Sequence, residues 1–86
     1  MKKIGIVMNS IAEINFQKDS TLLLMSELQN QGTELYYIEN LNLYFANQTP
    51  MAIAQKIEVF MNENKWFDLQ DQEKIELTSL DLVLMR

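Results

Sequence analysis

No cysteine and no histidine occur among the 86 residues. Without cysteine there is neither a disulfide framework nor a thiol nucleophile. Without histidine the commonest general base, the usual nucleophile–base triads and most zinc sites drop out. Glycine is also scarce: the chain has two. Gly5 lies inside an apolar run and Gly32 at the end of a helical pattern. A phosphate-cradling turn needs closely spaced glycines so that backbone N–H groups can approach the ligand. Neither position offers that, which argues against dinucleotide and P-loop binding. Positive charge is thin. Seven Lys and Arg against twelve Asp and Glu leave a net charge of -5, and no basic residue falls between Lys18 and Lys56. A nucleic-acid surface or an anionic-membrane patch needs clustered cations, so no nucleic acid and no membrane are expected as partners. Long apolar runs are missing as well. Met1-Lys2-Lys3 is followed only by Ile4 to Met8 before polar Asn9 and Ser10. A secretory core needs about 7–15 apolar residues and a spanning helix about 20. The expected location is cytoplasmic.

What is present is an ordinary globular composition, 48% hydrophobic and 22% charged. One domain is expected, with a single modest core and a thin stability margin. Ile4-Gly5-Ile6-Val7-Met8 reads as a strand buried on both faces, as in a parallel sheet. After a mixed stretch come Asp19-Ser20-Thr21, any of which can cap a helix. The helix is expected over Thr21–Gln31, with Leu24 and Leu28 on one face, Thr21 and Met25 beside them, and Gly32 as a left-handed C-terminal cap. Glu34–Ile38 reads as a second strand, completing a β-α-β unit. Leu43-Tyr44-Phe45, a turn at Asn47-Gln48-Thr49-Pro50 and Met51–Met61 read as a β-hairpin. A helix across Ala52–Asn62 competes, because Ala, Gln, Lys and Glu favour helix. Asn62–Leu77 reads as a short helix or loop, with Thr78 or Ser79 capping a single turn. Leu80–Met85 closes as a buried strand. The expected fold is α/β: a Rossmann-like parallel sheet with a flanking helix and an inserted β-hairpin. The stop at Arg86, directly after an apolar strand, reads as truncation.

Few residues carry chemistry. Asp68, Asp71 and Glu73 could hold a hard cation but lack the glycine of a calcium loop; a solvated acidic loop accounts for them better. Tyr36-Tyr37 and Trp66-Phe67 could stack on bases, yet with no basic neighbours packing explains them better. The six methionines read as core filler. Asn9, Ser10, Asn15 and Lys18 follow the first strand, and ligands of open α/β sheets gather at the carboxyl ends of strands. Arg86 follows the last strand and should emerge at the same edge, where its planar fork can grip a carboxylate. A short polar loop and a surface arginine paired with an acid are the plain alternatives.

The strings KIGIVMNSIAEINFQKDSTLLLM, ELYYIENLNLYF, WF and LDLVLMR, in this order and spacing, resemble the amino-terminal domain of the bacterial glutathione synthase family of ATP-grasp ligases. Two departures stand out: Asn9-Ser10 replace a usual Asp-Pro, and Gly32-Thr33 a usual Gly-Tyr. The resemblance implies a pre-ATP-grasp, substrate-side domain over residues 1–86, with the ATP-grasp region absent from this chain. It implies that the complete enzyme joins γ-glutamylcysteine to glycine with ATP and Mg2+ through an acyl phosphate, and that it forms homo-oligomers. On that basis Arg86, Lys18, Asn15 and Asn9 are the candidate substrate-binding residues. ATP and Mg2+ are expected on the remainder of the polypeptide, and the chain alone is expected to be inactive. The rival reading is a stand-alone, non-catalytic α/β interaction module.

Overall fold

Strand β1 (Lys3–Met8) forms where the first apolar run stands, and its residues are buried on both faces from Ile4 onward. The chain's structure, a computed structural model, describes residues 2–15, 17 and 19–86. A 3-10 turn at Ile11–Glu13 follows β1, and helix α1 then spans Ser20–Asn30. Asp19 is its N-cap: Oδ1 accepts from the N–H groups of Thr21 at 2.9 Å and Leu22 at 3.3 Å, two of the donors that a helix start leaves unpaired. At the other end Gly32 adopts φ 87°. Thr33 N–H reaches the Leu28 carbonyl at 3.1 Å and Gly32 N–H the Gln29 carbonyl at 3.0 Å, the paired closure that a left-handed residue permits.

The buried face of α1 agrees with the expected one at Met25 and at Leu28, which packs against the core, and departs from it at Leu24. Leu22 and Met25 are fully buried, whereas Leu24 is 45% exposed. The inward stripe runs 22, 25, 29, and its last member is polar. Gln29 donates Nε2 to the Val59 carbonyl at 2.9 Å and accepts the Val59 N–H on Oε1 at 2.8 Å. A glutamine in that stripe makes Leu24 and Leu28 look like the better apolar face in the sequence.

Strand β2 (Glu34–Glu39) pairs in parallel with β1 in the register Ile4↔Leu35 to Met8↔Glu39. Strand β3 (Leu43–Ala46) turns through Asn47 and Gln48, at φ 52° and 66°, into β4 (Thr49–Val59). Positive φ at both central residues matches the twist of a two-residue hairpin. Residues 51–59 are therefore strand, not helix. Strand β5 (Phe67–Glu76) pairs antiparallel with β4 over Met51–Val59, which corrects the short helix or loop expected across 62–77. Its pattern hides the strand. Between the pairs Gln55↔Gln72 and Ile57↔Leu69, β4 advances two residues and β5 three. That extra residue reverses the alternation, so Leu69 packs toward α1 and Ile75 toward the opposite face. Asp68, Asp71 and Glu73 lie along this strand; among the described residues no three or more acidic side chains converge. A 3-10 turn at Leu77–Ser79 follows, with Glu76 as its N-cap. Thr78 and Ser79 thus lie inside the turn instead of capping it, and Ser79 Oγ donates back to the Glu76 carbonyl at 2.6 Å.

Strand β6 (Leu82–Met85) pairs in parallel with β1, but it ends the sheet order with Leu82 and Met85 exposed, which corrects the buried strand expected over Leu80–Met85. The sheet has six strands in the order β3-β4-β2-β1-β6, with β5 on β4. It is mixed: β1, β2 and β6 run parallel, while β3, β4 and β5 pair antiparallel. Leu80 folds onto the face away from α1 before β6 begins. A Cβ on Gly5 would meet Leu80 Cδ1 at 2.6 Å and Ile38 Cδ1 at 3.2 Å. Glycine at position 5 makes room for that side chain. No helix among the described residues is long and apolar enough to cross a membrane.

Candidate functional site

Parallel pairing sends the carboxyl ends of β1, β2 and β6 to one edge of the sheet, and the residues that follow them meet there. A cleft of about 610 Å³ opens at this edge, lined by Asn9, Ser10, Glu13, Ile14 and Asn15 after β1, by Asp19, Ser20 and Thr21 at the start of α1, and by Arg86 after β6. Asn9, Asn15 and Arg86, three of the four residues singled out from the sequence, line this one cleft. Lys18, the fourth, lies outside the described residues.

The loop that carries Asn9 to Asn15 is held at Ile11 from two sides. Its N–H donates to the Tyr37 phenol oxygen at 3.1 Å, and its carbonyl accepts from Trp66 Nε1 at 3.1 Å. The Tyr37 hydroxyl in turn donates to Glu39 Oε1 at 2.9 Å, with the Asn9 carbonyl at 3.4 Å. Burial, reinforced by the Glu39 carboxylate, raises the Tyr37 pKa above the ordinary phenol value, although the Ile11 hydrogen bond opposes this. Asn40 Nδ2, just past β2, donates to Asn9 Oδ1 at 2.8 Å. Asn15 Oδ1 accepts the Gln17 N–H at 3.2 Å, and the Asn15 carbonyl accepts the Asp19 N–H at 2.9 Å. Each amide is thus fixed by its own loop or by the neighbouring strand end.

Arg86 is anchored at its root by a backbone N–H to the Val7 carbonyl at 3.0 Å. Its guanidinium Nη2 meets Asp19 Oδ2. The pairing anticipated as the plain alternative for Arg86 is present, and it places the guanidinium on the cleft wall. The lining carries both signs: Arg86 against Glu13 and Asp19. The partial positive charge at the amino end of α1 is met by the Asp19 carboxylate, which accepts from Thr21 and Leu22 N–H.

Sequence reasoning passed over Tyr37, Trp66 and Asp19. The first two read as packing residues. Tyr37 is indeed buried, and the Trp66 ring sits 6.0 Å from that of Phe67, but their polar tips support the loop. A buried Tyr or Trp seeks a partner for its polar atom, and that was the available signal. Asp19 was read only as one of three possible caps.

A family model described as "Prokaryotic glutathione synthetase, N-terminal domain" matches residues 2–86. A glutathione synthetase of Citrobacter rodentium is 42% identical over the whole chain, and one of Salmonella typhi 40%; the chain covers 27% of each. A glutathione synthetase of Buchnera aphidicola is 35% identical over 83 residues, 96% of this chain and 26% of that protein. The chain thus spans about a quarter of the length of these curated relatives. With its strands, its capped helix and its cleft residues all inside the matched span, this chain belongs to the prokaryotic glutathione synthetase amino-terminal domain family.

Proposed function

We propose that this chain forms the dipeptide side of the active-site cleft of a glutathione synthetase, and that β1, α1, β2 and β6 are the Rossmann-like part of that domain with the β3–β4 hairpin inserted. The observation that carries the reading is the meeting of Asn9, Asn15 and Arg86 in one cleft at the carboxyl edge of the parallel strands. γ-Glutamylcysteine carries two carboxylates and an ammonium. The Arg86 donors that have no partner among the described residues suit a carboxylate, and Glu13 suits the ammonium. Lys18 belongs to the same loop in sequence and is proposed as a further anion contact.

In the complete protein the proposed reaction is ATP-dependent. The cysteinyl carboxylate takes the terminal phosphoryl group of ATP, ADP leaves, and the glycine amine then displaces phosphate to form the new amide. We propose that the sites for ATP and Mg2+ lie on the remainder of the polypeptide. The face of Gly5 is filled by Leu80, Gly32 closes a helix at its carboxyl end, and no acidic group of three or more converges among the described residues. The contribution of this chain is to bind and orient the dipeptide. A cytoplasmic homo-oligomer is part of the same proposal.

The test is Arg86→Lys in the complete protein, which keeps the charge and loses the fork. The expected result is a rise of about tenfold in KM for γ-glutamylcysteine, the scale of one charge-assisted hydrogen bond, with KM for ATP nearly unchanged. Unchanged dipeptide kinetics in both Arg86→Lys and Arg86→Ala would remove Arg86 from the site.

A further inference from the structure

We propose that Asp19 is a positioning residue, holding the Arg86 guanidinium on the cleft wall in the orientation that receives a substrate carboxylate; this rests on the reading of the cleft as the dipeptide site. The Asp19 side chain is 3% exposed and that of Arg86 43%. Its two carboxylate oxygens do separate work. Oδ1 accepts from Thr21 and Leu22 N–H in the first turn of α1, and Oδ2 meets Arg86 Nη2. The carboxylate is therefore clamped by the helix and cannot follow the arginine if it swings. Arg86 is held at its root by Val7 and at its tip by Asp19. That leaves Nε and Nη1 without a partner among the described residues, on a side chain that lines the cleft.

A free arginine at this exposure samples many rotamers, and ordering it on binding costs affinity. A clamped one has already lost that freedom, and its remaining donors keep one direction. A buried carboxylate also needs the guanidinium, since an unpaired charge there is costly. The pair thus ties the amino end of α1 to the end of β6 across the cleft.

The experiment uses the complete protein. Asp19→Asn and Asp19→Ser both retain an oxygen able to cap α1 and both lose the negative charge that pairs with Arg86. The expected result is a dipeptide KM raised about tenfold in each, with the KM for ATP and kcat nearly unchanged. In an Arg86→Ala background the same substitutions should add nothing further. An ion pair that serves only the fold would instead lower the thermal midpoint and leave the KM split unmoved. Arg86→Ala raising the dipeptide KM while both Asp19 variants leave it unchanged overturns the positioning role alone. Arg86→Ala without effect on that KM overturns the reading of the cleft, and the positioning role with it. If both Asp19 variants fail to fold, the pair with Arg86 serves the fold and the proposal falls.

Discussion

Single atoms decide several positions in this chain. At Gly5 a methyl group would sit 2.6 Å from Leu80 Cδ1, closer than carbon atoms tolerate. Leu80 is nearly buried and covers the face of the sheet opposite α1, so it cannot turn away without exposing that cluster. Gly5→Ala should destabilise the chain by about 1–3 kcal/mol, as overpacking of a filled core does. Chemical denaturation would measure this, and Leu80→Ala in the same background should recover part of the loss. Wild-type stability in Gly5→Ala alone would show that Leu80 yields freely. Tyr36 and Tyr37 make a second prediction. Both phenols have raised pKa values, chiefly through burial, with acidic neighbours adding to it: Glu34 for Tyr36 and Glu39 for Tyr37. A raised folded-state pKa keeps its stabilising share intact below the unfolded value of about 10 and loses it as pH climbs through the folded value. Stability from these groups should therefore be level from neutral pH to about 9 and fall above about 10. Urea midpoints across that range would show it, and the alkaline fall should flatten in the Tyr36→Phe, Tyr37→Phe double variant. An identical alkaline slope in that variant would assign the loss to other groups.

At the scale of elements, α1 is docked by one amide as well as by its apolar stripe. Gln29 satisfies both the N–H and the carbonyl of Val59, standing in for a neighbouring strand at a point where Val59 is 2% exposed. Gln29→Glu keeps size and helix propensity but cannot donate, so the Val59 carbonyl loses its partner. The expected cost is about 1–3 kcal/mol, the penalty of a buried unpaired acceptor, read from urea denaturation. A change within about 0.5 kcal/mol, the range of ordinary surface substitutions, would show that water replaces the amide. The turn and the helix ends were legible in the sequence: Gly32 is where a left-handed cap is needed, and Asn47 opens the turn, whereas helix and strand competed over the residues that became β4. β5 was not legible, because the added residue between Leu69 and Gln72 breaks the two-residue period by which a strand is recognised. Polar Gln70 to Lys74 are tolerated there because the strand has β4 on one side and no other strand partner.

For the molecule as a whole, the outer surface carries more large apolar side chains than its small core explains. Leu23 on α1, Leu41 and Phe45 around β3, Met61 after β4, and Met85 on β6 are all more than half exposed. β6 is also the last strand in the sheet order, paired with β1 alone. Exposed apolar groups beside an unpaired strand edge favour association. The chain by itself should therefore self-associate, with a sedimentation coefficient that rises with concentration. A single monomeric species across the accessible range would contradict this. Replacing Leu82 and Met85 by Lys should reduce association if the β6 edge is the contact.

The sequence by itself determined the elements whose signals are local. The apolar runs of β1 and β2 imply a covered sheet, a cap among Asp19, Ser20 and Thr21 together with Gly32 brackets α1, and Asn9, Asn15 and Arg86 stand just past strand ends or on the loop that follows. Order and spacing along the whole chain also carried the family resemblance. Only the tertiary structure decided which face of α1 turns inward, that β5 is a strand, and what holds the cleft in shape. Those outcomes depend on partners far apart in the chain: Gln29 with Val59, Tyr37 and Trp66 with Ile11, Asp19 with Arg86. Periodicity and capping are written in neighbouring residues. A hydrogen bond between distant side chain and backbone leaves no periodic trace, and it is settled only when the sheet closes and brings the two together.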